Sequence, residues 1–215
     1  MDTVLLSSLY LAPVQYYSKL FQAKKAIIET DDNYQKQSYR NRCIIAAANG
    51  PLSLSIPIDK PKGIKCKMKD AKIADHGNWQ HLHWNAIISA YNSSPFFEYY
   101  KDDFSLFYEK KTTFLLDFNE ELRALICNLL SIETPIKYTT QFIHNADSNT
   151  LDLREAIHPK RDWRKTDKQF IAKPYYQVFR EKHSFIENLS IIDLLFNMGN
   201  ESRLYLQPHY KSKDK

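Results

Sequence analysis

Glycine is scarce in this chain, with 4 in 215 residues. That scarcity excludes a glycine-rich loop cradling phosphates and a glycine-patterned solenoid. Neither GxGxxG nor GxxxxGK[ST] occurs, so the familiar nucleotide fingerprints are missing. Cysteine is nearly as rare: Cys43, Cys66 and Cys127 are three, far apart, and without CxxC spacing. An odd, scattered set gives neither a disulfide framework nor a zinc knuckle, and reduced thiols in a cytosol account for it. No apolar run approaches the roughly 20 residues that span a bilayer. Met1 is followed by Asp2, and Val4 to Leu11 is too short and too polar-flanked for a signal peptide. The expectation is a soluble cytoplasmic protein with no membrane span.

What is present is aromatic and mildly basic. Aromatics make up 13% and the net charge is +5, which together argue against whole-chain disorder. The length fits one well-cored domain over residues 1–215, with 200–215 a flexible tail. The positive excess favours anionic partners without selecting one.

Thr3 to Leu9 reads as a strand, Pro13 opens a helix bearing Tyr16, Tyr17, Leu20 and Phe21, and Ala26 to Glu29 reads as a buried strand. This strand–helix–strand start implies an α/β or α+β fold: a single mixed sheet with flanking helices. Cys43 to Ala47 and Leu52 to Ile56 form a hairpin across Asn49-Gly50, with Leu52, Leu54 and Ile56 on its buried face. A lysine-rich connection over 60–69 leads to a strand near Met68 to Ile73. Asn78 caps a helix through Ala90, and Ser94-Pro95 caps and opens another. A third runs from about Thr113 to Leu130, Ile136 to Phe142 is a strand, and Leu189 to Met198 is a last helix ended by Gly199.

The densest polar, aromatic and basic stretch is Tyr34 to Arg42, lying between buried strands. Asp31 and Asp32 follow the second strand, where α/β folds place ligands, although such a pair also suits a turn. Arg40, Asn41 and Arg42 can clamp an anion; equally, Asn41 can satisfy loop backbone while an arginine pairs with Asp31 or Asp32. His83 is the candidate for proton transfer, set against the alternative of a hydrogen-bonded core histidine. Tyr10 and Gln15 flank the loop after the first strand, and Gln35 sits in the polar stretch. The basic stretch 158–182, with Lys160, Arg161, Arg164, Lys165 and Lys168, reads as a solvated loop rather than a nucleic-acid grip. His, Cys and carboxylates do not fall at zinc spacing, so no metal is expected.

In order along the chain stand Tyr10-Leu11-Ala12-Pro13, Asp31-Asp32, Tyr34-Gln35-Lys36, Arg40-Asn41-Arg42, Asn49-Gly50-Pro51 and Leu54-Ser55-Ile56-Pro57. Trp79 with His83 and Tyr91, Ser94-Pro95-Phe96-Phe97-Glu98-Tyr99-Tyr100 and Leu116-Asp117-Phe118-Asn119 follow. Together this series resembles the WbqC-like family over about the first 140 residues. Two departures stand out. Ser7-Ser8-Leu9 replaces the family's usual Gln-Pro, and Asp193 to Gly199 stands where a Tyr-Leu-Ser-Gly type segment is usual, which marks a variant C-terminal part.

The resemblance implies a bacterial role beside surface polysaccharide or O-antigen synthesis. An acyl- or aminoacyl-type transfer to a sugar follows from it, by a metal-independent transferase. The alternative is a non-catalytic protein that binds or assembles around a sugar-nucleotide or a protein partner. On the first reading His83 and Asp32 are catalytic, and Tyr10, Gln15, Asp31, Gln35, Arg40, Asn41 and Arg42 bind substrate. The partner is an anionic small molecule such as a nucleotide-sugar or acyl donor. No cofactor is specified, nor an oligomeric state.

Overall fold

The computed structural model describes residues 2–59 and 65–208. At its centre is a four-stranded, all-parallel sheet. The strands are β1 (Thr3–Ser7), β2 (Lys25–Glu29), β7 (Ile136–Tyr138) and β8 (Thr150–Asp152), in the order β7-β2-β1-β8. β1 and β2 are the inner strands, and Val4, Leu5 and Leu6 of β1 are all fully buried. An apolar run without alternation is what a parallel strand covered on both faces requires. Helix α1 (Val14–Gln22) returns the chain from β1 to β2. Pro13 precedes its first residue, in extended backbone, and pairs with Ser190 as an isolated bridge.

Between β2 and β7 the chain makes a long excursion. It carries the hairpin β3 (Arg42–Ala47) and β4 (Gly50–Ser55), the short pair β5 (Ile58–Asp59) and β6 (Lys72–Ile73), and three helices. The helices are α2 (Trp79–Tyr91), α3 (Phe97–Glu109) and α4 (Leu115–Leu129). Short α5 (Trp163–Thr166) and α6 (Arg180–His183) follow β8, and α7 (Ile191–Met198) and α8 (Ser202–Leu206) come last. Trp79 of α2 and Phe107 and Tyr108 of α3 form an edge-to-face cluster around Phe118 of α4, with the Tyr10 ring tilted against it.

The α/β expectation and the strand–helix–strand start hold. Parallel and antiparallel pairing occur in separate sheets, because the hairpin stands apart from the central four strands. Local boundaries differ for identifiable reasons. The hairpin turn is Ala48-Asn49, and Gly50, at φ 106, already pairs with Ala47. Leu52 is exposed rather than buried, although Ile45, its partner across the hairpin, is fully buried. Asn78 is left-handed and its side chain caps nothing. Ser94 does not cap α3: its hydroxyl donates back to the Tyr91 carbonyl at 2.6 Å, and Phe96 takes the capping position. Met68–Asp70 is a single 3-10 turn, leaving only Lys72–Ile73 extended.

The C-terminal part is held firmly as far as it is described. Leu206 is fully buried, and its carbonyl accepts hydrogen bonds from Ser18 and Gln22 of α1. Of the expected tail over 200–215, α8 packs on α1, and residues 209–215 lie outside the described residues. Asp193 anchors α7 from inside. Its carboxylate accepts from Tyr91 (2.9 Å), Tyr175 (2.7 Å) and Gln177 (2.8 Å).

Candidate functional site

All four parallel strands end on the same side, and their carboxyl ends carry an unusual density of charge. β1 ends in Ser7 and β2 in Glu29, followed by Asp31 and Asp32, while β8 ends in Asp152, followed by Arg154 and Glu155. β1 and β8 are neighbours, yet the chain leaving β1 turns away towards β2. A crevice at such a divergence is where α/β sheets commonly bind ligands. Here it is a cleft of about 520 Å³, with Asp32, Arg40, Arg154, Glu155, Phe142 and Arg161 in its walls.

Two arginines organise the walls. Arg40 Nε donates to Asp32 Oδ2 at 3.1 Å, and Arg40 Nη2 contacts the same oxygen and Ser7 Oγ (3.1 Å). Arg154 forks onto Asp152 through Nε (3.0 Å) and Nη2 (2.7 Å), and its Nη1 reaches the buried Glu29 at 3.0 Å. Such planar, two-point pairing fixes both guanidinium groups in place. The Arg154 guanidinium also lies 4.9 Å from the centre of the Phe142 ring. Glu155 is half-exposed; it accepts from Gln35 Nε2 at 2.9 Å and stands 3.6 Å from both Arg40 and Arg161.

Asp32 is the chemically distinctive group. The residue is 5% exposed, and its Oδ1 has no hydrogen-bond partner among the described residues. Burial pushes its carboxyl above the ordinary 3.8, Arg40 pulls the other way, and the nearby Glu29 charge adds to the rise. One carboxylate oxygen is thus anchored by Arg40, and the other is shielded from solvent without a donor among the described residues. Asp152 behaves differently. Burial opposes its ionisation, but the Arg154 hydrogen bonds and charge outweigh this and hold it below the ordinary value.

Of the residues expected to act catalytically or bind substrate, Asp32, Arg40 and Gln35 meet in this cleft. Asp31 turns outward and pairs with Lys67 and Lys69, each at 2.6 Å, which lower its pKa. Asn41 and Arg42 line a separate hollow of about 410 Å³ with Tyr34, Lys36 and His76. There Asn41 donates to the Ile56 carbonyl at 2.7 Å and Arg42 to Ser55 Oγ at 2.9 Å. Gln15 is buried and donates to Asp167 at 2.8 Å. Tyr10 is fully buried, its hydroxyl 3.0 Å from His83 Nδ1 and 2.8 Å from Tyr108.

His83 therefore does not stand in the cleft wall, contrary to expectation. Its ring is enclosed by Trp79 and Tyr10, and it is 6% exposed. Burial lowers its pKa to about 4, partly offset by a hydrogen bond to the Ser55 backbone. It is a neutral core histidine with its hydrogen-bonding groups occupied. The helical face it shares with Trp79 and Ile87 points into the core, the second of the two readings its spacing allowed.

Sequence reasoning missed Phe142, Asp152, Arg154 and Glu155, and placed Arg161 only in a basic loop. β8 is only three residues long, too short for periodicity to reveal it. His158 also emerges near the cleft. Burial lowers its pKa, the charges of Arg161, Arg40 and Lys160 add to that, and Glu155 opposes it. Its Nδ1 lies 3.1 Å from the Lys160 backbone N–H, so that nitrogen accepts and Nε2 carries the proton of the neutral ring.

Residues 8–165 match the family described as the WbqC-like protein family. The match takes in the loop after β1, the polar stretch 31–42 and the β8 segment, and so every lining residue of the cleft but Thr166. Among curated proteins the chain is similar to "Uncharacterized protein Rv1507c" of Mycobacterium tuberculosis (strain ATCC 25618 / H37Rv), at 26% identity over 213 residues, covering 89% of this chain and 91% of that protein. No solved structure matches the chain significantly. Among the described residues no helix is long and apolar enough to cross a membrane, and no cluster of three or more His, Cys, Asp or Glu is placed to hold a metal ion.

Proposed function

The chain belongs to the WbqC-like protein family, and we propose that its cleft carries out group transfer in surface polysaccharide synthesis, moving an acyl or aminoacyl group onto a sugar. The observation that supports this reading is Asp32: a carboxylate at the carboxyl edge of a parallel sheet, in the wall of an open cleft, with Oδ1 shielded from solvent and unpartnered among the described residues. In the step envisaged, the acceptor's nitrogen or oxygen forms a bond to the donor's acyl carbon. Its proton passes to the Asp32 carboxylate, and the leaving group departs with the electron pair of the broken bond. Arg40 holds Oδ2 and keeps the base ionised and fixed. Arg161, half-exposed at the mouth with only a 3.6 Å ion pair, is the guanidinium free enough to take an anionic donor.

A second reading is a binding or assembly protein that holds a nucleotide-sugar without transfer. It is favoured by Arg40 and Arg154 both being engaged by the protein's own carboxylates. One experiment addresses both. Wild-type protein and Asp32→Asn are incubated with acyl-coenzyme A or aminoacyl donors and nucleotide-sugar acceptors, with mass-spectrometric detection of product. Transfer by wild type and a loss of about 100-fold or more in the variant, the usual scale for removing a general base, supports transfer. Binding of nucleotide-sugar with no product from any pair supports the second reading, and an unimpaired variant removes Asp32 from the chemistry.

A further inference from the structure

The 34–42 segment is a wall shared by two cavities. Gln35 and Arg40 line the cleft, while Lys36 and Arg42 line the separate hollow of about 410 Å³. The charges in the two differ in kind. In the cleft, Arg40 and Arg154 are held by the protein's own carboxylates. In the hollow, neither Arg42 nor Lys36 has an ion pair among the described residues, and Asp59, also without one, is the carboxylate of its lining. Two cations against one anion leave a positive excess there. Arg42 is also fixed in place. It opens β3 opposite Ser55 of β4, and its Nε donates to Ser55 Oγ at 2.9 Å. Beside it the Ile56 N–H donates to the Asn41 carbonyl at 2.8 Å and closes the base of the hairpin. One edge of the guanidinium is spent on this anchor, and no described residue accepts a hydrogen bond from its Nη1 or Nη2. Burial pushes the Tyr34 hydroxyl up to about 12 and the Arg42 charge opposes that rise, so the guanidinium acts on the inner wall of the hollow.

We infer that this hollow binds a phosphate monoester with a hydroxylated body, a sugar phosphate being the simplest case, with Arg42 and Lys36 on the phosphate. A guanidinium with two free terminal nitrogens offers parallel N–H donors to two phosphate oxygens, and the Lys36 ammonium adds a point charge. His76, from a third segment, lines the same hollow and carries an N–H donor in either protonation form. A planar carboxylate is satisfied by one guanidinium fork. Donors on three separate segments suit the spread of oxygens on a tetrahedral phosphate. The body follows from the rest of the lining. The volume lies within the roughly 300–1,000 Å³ of small-molecule sites and exceeds what a bare phosphate fills. Ile58 is half-buried and supplies an apolar surface, and the exposed Asp59 repels a phosphate but accepts from hydroxyls. The hollow is separate from the cleft, and its ligand does not depend on whether the cleft transfers a group.

Glucose 1-phosphate, inorganic phosphate and glucose separate the possibilities. Each is titrated into nitrogen-15-labelled protein at fixed ionic strength, and backbone amide shifts are followed by NMR. Glucose 1-phosphate shifts amides of 34–42 and 56–59 and binds more tightly than inorganic phosphate, and glucose leaves those amides unmoved. Arg42→Gln weakens glucose 1-phosphate by about tenfold or more, the scale of one hydrogen bond to a charged group. Lys36→Gln weakens it severalfold. Lys36 is exposed and outside every helix and strand, so this variant decides the matter if Arg42→Gln does not fold. Arg161→Gln, in the cleft, leaves the affinity unchanged. No shift at 34–42 and 56–59, equal affinities for inorganic phosphate and the ester, or unchanged affinity in Lys36→Gln each overturns the inference. Loss of binding in Arg161→Gln, with shifts confined to 152–161, also overturns it and instead supports Arg161 as the anchor of an anionic donor. Binding that depends on Arg42 and Lys36 with no transfer from any donor leaves the inference standing and removes the transferase reading.

Discussion

Replacing His83 by glutamine tests directly whether its imidazole belongs to the core or to a wet site. The folded pKa of about 4 lies below the ordinary 6.5. A group with a depressed folded pKa takes up protons on unfolding between those two values. The neutral, buried ring therefore contributes stability that is fully present above pH 6.5 and is lost as pH falls towards 4. At ~1.36 kcal/mol per pKa unit, that window is worth roughly 3 kcal/mol. Asp193 titrates in the opposite sense. Burial lifts it from 3.8 to about 6 against the hydrogen bonds of Tyr175, Tyr91 and Gln177. Its contribution is fully present below pH 3.8 and disappears as pH rises through 6, by a similar amount of roughly 3 kcal/mol. Between about pH 4 and 6 the two slopes largely cancel in the wild type. Urea unfolding is to be followed at closely spaced pH values for wild type, His83→Gln and Asp193→Asn. The advantage of wild type over His83→Gln should grow as pH rises from 4 to 6.5, and its advantage over Asp193→Asn should shrink as pH rises from 4 to 6. Each variant also carries a pH-independent packing cost, which drops out of the slope. A His83 difference with no pH dependence would mean that the imidazole titrates in the folded protein as it does in water. That result would refute its enclosure and restore it as a candidate base.

Two further outcomes follow from backbone and burial. Gly199 ends α7 at φ 53, and a Cβ there would lie 2.6 Å from the Phe96 ring. Gly199→Ala should lower stability by more than about 1 kcal/mol, since strain and clash act together, and adding Phe96→Ala should recover the part due to the clash, as read by thermal melting. Cys43 is fully buried, with its thiol pushed up well above the ordinary value, whereas Cys66 and Cys127 are half-buried. Thiol labelling under native conditions should modify Cys43 last and at the rate of global unfolding; rapid labelling of Cys43 would contradict the packing of the hairpin.

The parts legible in the sequence are those with strong local signals. Pro13, the apolar β1 and β2 and the Asn49-Gly50 region give the strand–helix–strand unit and the hairpin to within a few residues. Long-range partnership was not legible. Asp31 and Asp32 are adjacent and chemically alike, yet one turns to surface lysines and the other to a buried arginine. Successive side chains leaving a strand point to opposite sides, so adjacency in sequence predicts separation in space. Arg40 and Arg42 also part, one into the cleft and one into the second hollow; two residues apart, they would share a face in a strand, and the turn before β3 separates them. For His83 the spacing gave the correct inward face but could not tell a groove from a core. That distinction depends on Tyr10 and Tyr108, which are 73 and 98 positions apart from their partners in the chain. The cleft's far wall, Asp152 to Glu155, carries too few residues for any periodicity.

That far wall depends on a contact remote from the cleft. Lys19 of α1 and Asp167, just after α5, form a fully buried ion pair at 2.7 Å, with Gln15 donating to the second Asp167 oxygen. Arg161 and Thr166, which line the cleft, lie within six residues of Asp167 along the chain. The pair thus ties the mouth of the cleft to the helix that follows β1. Lys19→Met leaves the Asp167 charge buried without its partner, which typically costs about 3–5 kcal/mol. Lys19→Met with Asp167→Leu replaces both charges by apolar groups and should recover most of that loss, because burying a pair also carries a desolvation cost. Hydrogen exchange separates a global effect from a local one. In the single variant, amides of the 161–170 segment should exchange faster than those of β1 and β2, where Val4 and Ile28 remain fully buried. Uniform acceleration across the chain would mean that the pair stabilises the whole domain and does not specifically hold the cleft wall.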